Sequence, residues 1–368
     1  MSLTPFLVAW RTTPLHDREV VDALVDPAHA EPSAALAGAL REWPGTYYWS
    51  SEADGRHLVV TRPSIKPRER WVMHALALAA TLFLTTLSGG VISGALSPDL
   101  SALYNPAAWD LAFFRGWATG FSFSLPLLAI LLCHEMGHYL TARHYQVNVS
   151  PPFFIPGPPA PIGIGTLGAF IRLRSILNDR RQLLDIGAAG PIAGFVVALP
   201  VFWIGLAHSQ VVGAEPGGTG MQISLGWGMV LGDSAVTLLV RYFTHTGGAV
   251  VLSPMALAGW FGMYVTMLNL LPIAQLDGGH ILYAASPRAQ RHVARFFFVV
   301  ILLLGYLSKS WFLWAFVVLI LSRGQFRHPP VLDNYRPLPR SRVWLLWASF
   351  ILFALTFMPI PEALITSG

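Results

Sequence analysis

Residues 116–145 read GWATGFSFSLPLLAILLCHEMGHYLTARHY, an apolar run that passes directly into a cluster of ionisable side chains. Residues 116–133 contain no Asp, Glu, Lys or Arg. Because a transmembrane helix needs about 20 mainly apolar residues, this run predicts a membrane span. Ionisable side chains in or beside a span are costly and usually functional. The stretch therefore predicts a membrane protein with a functional site at one end of this span.

The five residues HEMGH form an H-E-x-x-H motif, from His134 to His138. Residues four apart share one face of a helix, so His134 and His138 could hold a single zinc ion. Glu135 then lies where it can deprotonate a water bound to the metal. The alternative is that the span ends at His134, the cluster lies in interfacial water, and no metal is needed.

A catalytic zinc site needs a third protein ligand and an open fourth position. The chain has one cysteine, Cys133, which excludes a Cys-rich zinc site and an intrachain disulfide. Asp277 is the best candidate for the third ligand because it follows a later apolar run, residues 249–271, on the same predicted side of the membrane. The alternative for Asp277 is a helix or turn cap.

Composition supports a membrane protein. The 368 residues are 54% hydrophobic and 12% charged, against about 25% charged in ordinary soluble domains. The net charge is +5, but the arginines cluster in short loops between apolar runs. This distribution indicates positive-inside topology rather than a nucleic-acid partner.

Further apolar runs predict six or seven spans, and residues 1–65 precede the first of them. The runs are 71–98, 186–207, 249–271, 296–321 and 343–357. We favour a tight hairpin turning at Lys309 for residues 296–321, because it keeps the later arginines inside; the alternative is one span. Residues 1–65 predict a small soluble α/β appendage, with helices at 17–24 and 32–40 and strands at 47–50 and 57–61.

Residues 151–170, PPFFIPGPPAPIGIGTLGAF, are apolar but too rich in Pro and Gly for a regular helix. Non-helical backbone at membrane depth is tolerated only where protein buries it or where it lines a wet cavity. We therefore expect a re-entrant loop beside the site, and a hydrophobic surface linker is the alternative.

The two motifs together resemble the site-2 protease family of intramembrane metalloproteases. The second motif, N-x-x-P-x-x-x-x-D-G, is matched by Asn269, Pro272, Asp277 and Gly278. The stretches GTLGAF and GAAGPIAG also resemble that family. The resemblance implies a three-span catalytic core that holds one zinc ion with His134, His138 and Asp277. It also implies Glu135 as general base and Asn269 as a residue that assists catalysis or holds substrate. The chain has no insertion long enough for a PDZ domain between the motifs, so it resembles the PDZ-less branch.

These observations predict an all-α polytopic membrane protein with a three-span catalytic core, a re-entrant β-like loop, extra flanking spans and a small soluble N-terminal α/β appendage. The predicted divisions are 1–65, 66–285 and 286–368. The predicted function is an intramembrane zinc endopeptidase that cuts peptide bonds in or near transmembrane segments. Its partners would be a transmembrane protein substrate and the lipid bilayer, with no nucleic acid. We expect an integral multi-pass protein of a bacterial inner membrane, with its active site towards the cytoplasm.

Two other function classes fit less well. A non-proteolytic scaffold or chaperone of the same fold is disfavoured because all the ligand and base residues are present. The second class is a metal-dependent membrane protein of another kind. A histidine-box oxygenase needs several His clusters, where this sequence shows one, and a metal transporter needs polar residues along several spans, which are missing from these apolar runs. The remaining histidines, His144, His245, His280 and His328, are interpreted as loop or interfacial residues. His280 is close enough to Asp277 in sequence to contact this ligand and help to orient it.

Overall fold

The computed structural model describes residues 3–14, 18–29, 33–43, 45–52, 54–63, 69–99, 105–174, 177, 179–212, 221–222, 229–244, 246, 248–273, 275–322, 324–326, 328, 331 and 337–364. The described chain is mostly helical, with a small β-sheet region at its N-terminus. The helices are α1 (Ala34–Arg41), α2 (Trp71–Ile92), α3 (Leu111–Thr119), α4 (Phe121–His144), α5 (Arg180–Ala207), α6 (Ala235–Phe243), α7 (Pro254–Asn269), α8 (Asp277–Ala285), α9 (Pro287–Leu304), α10 (Ser310–Leu321) and α11 (Val343–Thr356). The strands are β1 (Leu7–Pro14), β2 (Arg18–Val25), β3 (Tyr47–Glu52), β4 (Gly55–Pro63), β5 (Phe153–Pro156), β6 (Thr166–Phe170), β7 (Gln210–Val212), β8 (Met221–Gln222), β9 (Met229–Leu231), β10 (Ala249–Val251) and β11 (Glu362–Leu364).

The N-terminal region is a four-stranded antiparallel sheet in the order β1-β2-β4-β3, with α1 contributing to its core. Leu36 of α1 and Leu58 of β4 are fully buried in that core. The predicted helix at 32–40 is confirmed as α1, which begins after Ser33, whose side chain accepts a hydrogen bond from the Leu36 backbone amide. The two predicted strands are confirmed as β3 and β4.

The predicted helix at 17–24 is wrong, because this segment forms strand β2. Its apolar pairs, at 20–21 and 23–24, repeat at a spacing that also suits a helix. In the structure, Val21, Ala23 and Val25 are buried while Asp22 and Leu24 between them are partly exposed, which is the period of two of a strand. The first residue of the predicted helix, Asp17, lies outside the described residues.

Among the described residues, three helices are long and apolar enough to cross a membrane: α2, α4 and α5. This finding supports the prediction of a membrane protein. The run at 249–271 differs from the expected fourth span because its start forms strand β10, which leaves the 16-residue helix α7. A helix of that length spans about 24 Å, less than the roughly 30 Å hydrocarbon core.

Helix α7 lies at the centre of the helical core, in contact with both α4 and α5. Leu257 and Met263 of α7 are buried in one cluster with Leu127 of α4 and Phe202 of α5. Helices α4 and α5 also pack directly against each other. These three helices therefore form the frame on which the site is built.

The Pro- and Gly-rich segment forms a two-stranded antiparallel hairpin of β5 and β6, in which Phe153 pairs with Phe170. Strand β5 packs against α2, and β6 contacts α4. The prediction that this segment is not helical is confirmed.

The predicted hairpin at 296–321 is also confirmed, because α9 and α10 contact each other and are joined by residues 305–309. Three of the arginines on which that prediction depended, Arg323, Arg327 and Arg336, lie outside the described residues.

Candidate metal centre

The two motifs meet at one point in the fold. His134 and His138 lie on α4, and Asp277 is the first residue of α8. The Oδ2 atom of Asp277 is 3.3 Å from the Nε2 atom of His134 and 3.3 Å from the Nε2 atom of His138. The two Nε2 atoms are 3.2 Å apart. Three potential ligand atoms, two from α4 and one from a residue more than a hundred positions later in the chain, therefore form a nearly equilateral triangle.

This triangle fits a zinc ion. In a tetrahedral site with metal–ligand distances of about 2.0–2.2 Å, neighbouring ligand atoms lie about 3.3–3.5 Å apart. Two imidazoles and one carboxylate are also a ligand set that zinc prefers, and three protein ligands leave the fourth position open for chemistry. His134 and His138 are buried and Asp277 is partly buried, so an ion here would be largely enclosed by protein.

Helix α5 shapes the site through its small residues. A Cβ atom on Gly190 would lie 2.0 Å from the Nε2 atom of His138, and one on Gly194 would lie 3.2 Å from the His134 ring. Larger residues at these positions would displace the histidines. The Ile186 carbonyl of α5 lies 2.7 Å from His138 Nδ1 and orients that ring. The small residues of α5 also let α4 approach closely, since a Cβ atom on Gly137 of α4 would lie 2.5 Å from the Ala189 carbonyl oxygen.

Gly278, next to Asp277, also has a geometric role. A Cβ atom there would lie 2.0 Å from the Leu270 carbonyl, just after the end of α7. This close approach sets Asp277 against the end of the helix that carries Asn269.

Glu135 and Asn269 are adjacent to the three potential ligands. Glu135 is buried, lines the same cavity and faces the backbone amide of Ile171, which follows β6. Asn269 is the last residue of α7, and its Nδ2 atom is 3.3 Å from His134 Nε2. The structure thus brings together all five residues that the sequence singled out.

The cavity over the site is lined on one side by the hairpin and the residues after it. Ala169, Phe170 and Ile171 line it, together with Leu276 and Asp277.

An ion pair lies just beyond this wall. The two terminal guanidinium nitrogens of Arg174 bind the two carboxylate oxygens of Glu69, which precedes α2. This paired hydrogen bond holds the pKa of Glu69 below its usual value. The pair ties α2 to the wall of the cavity.

Sequence reasoning missed the partner of His280. His280 lines the cavity, as its position near Asp277 suggested, but its Nδ1 atom is 2.5 Å from Nε2 of His328. Nothing in the spacing of the sequence could have revealed this contact, because the two residues belong to different segments. His144 ends α4 and contacts the Tyr145 ring edge to face, while His245 lies outside the described residues.

The comparisons with known proteins match this chain to one family and several plant proteins. The family model described as "Peptidase family M50" matches residues 122–307. "Probable zinc metalloprotease EGY1, chloroplastic" from Oryza sativa subsp. japonica is 32% identical over 243 residues, which cover 65% of this chain and 40% of that protein. The protein of the same name from Arabidopsis thaliana is 32% identical over 274 residues, 73% of this chain and 46% of that protein.

"Probable zinc metalloprotease EGY2, chloroplastic" from Arabidopsis thaliana is 29% identical over 277 residues, again 73% of this chain and 46% of the relative. The chain therefore spans less than half the length of these relatives. All three relatives are chloroplastic by name, which does not fit the expectation of a bacterial inner membrane. The broader expectation of a membrane protein agrees with the three long apolar helices.

Proposed function

Because this chain belongs to peptidase family M50, the site-2 protease family, we propose that it is a zinc endopeptidase that cuts peptide bonds within or beside the membrane. The observation that carries the proposal is the triangle of His134, His138 and Asp277, whose two histidines lie within a helix that is long enough to span the bilayer. The names of the plant relatives, probable zinc metalloproteases, agree with it.

In this proposal the three ligands hold one zinc ion per chain, and two neighbouring residues act on the substrate. A zinc ion bound there would acidify a water molecule and polarise the scissile carbonyl. Glu135 takes the proton from the attacking water and delivers it to the leaving amine, which is the work of a general base and acid. Asn269, whose side-chain amide reaches the ligand triangle, holds the substrate carbonyl through a hydrogen bond.

The substrate we propose is a transmembrane segment that reaches the site in an extended conformation. Helical peptide bonds are shielded because their carbonyls are already hydrogen-bonded. Strand β6 and the residues after it line the cavity, and Leu167 of β6 is 70% exposed. A substrate strand added beside β6 would satisfy its backbone groups while presenting one peptide bond to the site.

The proposed setting is an integral, multi-pass membrane protein with its core in residues 66–285. The hairpin of β5 and β6 is then the re-entrant element, and the second half of α4 and the first turn of α8, which carry the ligands, lie towards the basic, cytoplasmic-type side. The boundary expected at residue 65 lies outside the described residues. A non-proteolytic scaffold is not favoured, because the base and all three ligand residues converge in one cavity.

The test pairs metal analysis with cleavage. We expect the purified protein to contain about one zinc per chain, to cut a single-span substrate in detergent or liposomes, and to lose both properties in Asp277→Asn, because only a carboxylate supplies a charged oxygen ligand here. Asp110→Asn, at the exposed N-cap of α3 where asparagine caps as well as aspartate, is the matched control and should retain zinc and activity. A wild-type protein that contains zinc but leaves every tested membrane substrate intact would argue for the scaffold instead.

A further inference from the structure

The cavity contains one histidine that the proposed mechanism does not use. His280 lies one helical turn after Asp277 on α8 and lines the cavity together with the ligand residues. Its side chain packs against α5, since a Cβ atom on Gly187 would lie 3.1 Å from the His280 Cβ atom. The position of His280 is therefore fixed by two of the elements that build the site.

A second histidine orients the ring of His280. The Nε2 atom of His328 is 2.5 Å from Nδ1 of His280, and the two rings are nearly perpendicular, at 83°. One ring donates its N–H in this contact and the other ring accepts, so the tautomer of His280 is coupled to that of His328. No group among the described residues hydrogen-bonds the remaining nitrogen, Nε2 of His280, which leaves it to the cavity.

His328 is itself held firmly. The Tyr283 ring stacks on it at 4.4 Å between ring centroids. The buried side chain of Gln290 accepts a hydrogen bond from the His328 backbone amide at 3.2 Å and donates one to the Phe326 carbonyl at 3.1 Å. Phe326 and His328 are thus held against α8 and α9, and the His328 side chain contacts His280 in the cavity lining.

We propose that His280 binds the backbone of the substrate peptide through Nε2 and that His328 is the residue that positions it. The inference rests on the proposed function, since it names a substrate contact in the same cavity. A peptide backbone offers one donor and one acceptor per residue, so it can bind His280 in either tautomer that the His328 contact selects. Part of the chain well beyond the family's two motifs then contributes to substrate binding.

The structure offers a pair of variants that separates positioning from packing. His328→Phe keeps an aromatic ring to stack on Tyr283 but removes the nitrogen that contacts His280. His328→Gln removes the ring but places an amide nitrogen at about the reach of Nε2. His292→Phe, at an exposed position of α9, is the matched control.

The measurement is the dissociation constant of a labelled single-span peptide, made in a Glu135→Gln background so that binding is seen without turnover. We expect His280→Ala and His328→Phe each to weaken binding by roughly tenfold, as expected for the loss of one hydrogen bond to the ligand. We expect His328→Gln to bind within about threefold of its parent, and the double variant to bind no more weakly than either single one, because the two residues act as a unit.

Zinc content and thermal unfolding accompany each binding measurement. The inference would be overturned if His328→Phe bound normally, if Gln restored nothing, or if the two single effects multiplied in the double variant. It would also be overturned if His328→Phe lost zinc or stability in step with binding, because His328 would then be only a structural residue. Failure of the proposed function has a different signature, namely a wild-type protein that binds the peptide with the same dependence on His328 but never cleaves it.

Discussion

Glu135 is the residue on which the proposed chemistry depends most. It lies between the two histidines on α4, is buried, and lines the same cavity. Glu135→Gln keeps the size of the side chain and removes its basicity, so we expect cleavage to fall by roughly 10²–10⁴-fold. Zinc content and thermal unfolding should be unchanged. Turnover within about tenfold of the wild type, measured with the same substrate, would mean that another group is the base.

Gly190 tests whether the helix packing around the ligands matters. An added methyl group would lie 2.0 Å from His138 Nε2, which leaves no room for a metal ion at its position. We expect Gly190→Ala to reduce zinc content well below one per chain while the protein still folds. Gly38→Ala is the matched control, because Gly38 is also helical and has nothing within 4 Å of the added atom. Full zinc occupancy in Gly190→Ala would show that the histidines do not bind metal in the arrangement described.

At the level of residues, much of the candidate site could be predicted from sequence. His134 and His138 share a helix face because they are four residues apart, and this regularity is independent of the rest of the fold. Asp277 and Asn269 could be predicted because a second motif resembles that of a known family. The contact of His328 with His280 could not, since it depends on how the chain after α10 returns to α8. No local rule of propensity or spacing describes such a return.

The hairpin of β5 and β6 is the element with the clearest expected role. If the substrate pairs with β6, its open edge must offer backbone groups. Leu167 is the extra residue of a bulge, with no partner opposite it in the β5–β6 register, so proline there removes a backbone amide at a position where proline is tolerated. We expect Leu167→Pro to slow cleavage by at least about tenfold with zinc content unchanged, the size of an effect from one or two lost hydrogen bonds.

Leu167→Ala is the control for this prediction because it keeps the backbone amide and removes only the exposed side chain. The strand-addition hypothesis requires the proline variant to be much slower than the alanine variant. Equal rates for the two would mean that the hairpin only packs around the site. In the substrate, helix-breaking residues near the cut should speed cleavage, since unwinding a helix in lipid exposes polar groups that cost several kcal/mol.

At the level of elements, the sequence predicted the long helices better than the short ones. Helices α2, α4 and α5 contain long uncharged runs, and such a run has few alternatives to a long apolar helix. The run at 249–271 instead divides into β10 and α7, because Ala249–Val251 pairs with strands that no local pattern reveals. The apolar spacing of strand β2 fits both the period of a helix and the period of a strand. Only the pairing of β2 with β1 and β4 decides between the two structures.

For the whole molecule, the proposed topology places both motifs on one side of the membrane. In a Cys133→Ser background, single cysteines at Arg143 and Arg288 should react with an impermeant thiol reagent from the same side. A cysteine at His208, just beyond the opposite end of α5, should react from the other side. If the cysteines at positions 143 and 288 reacted from opposite sides of the membrane, the two motifs would lie on different sides and a shared metal site would be excluded.

The central claim is that this zinc site cuts peptide bonds within or directly beside the bilayer. The most direct test is to reconstitute the protein in liposomes with a single-span substrate and to locate the cut by mass spectrometry. We expect new termini inside the apolar segment or within a few residues of it, and no cut with Glu135→Gln or with a zinc chelator present. Cuts confined to the soluble tails of the substrate, far from the apolar segment, would contradict the account.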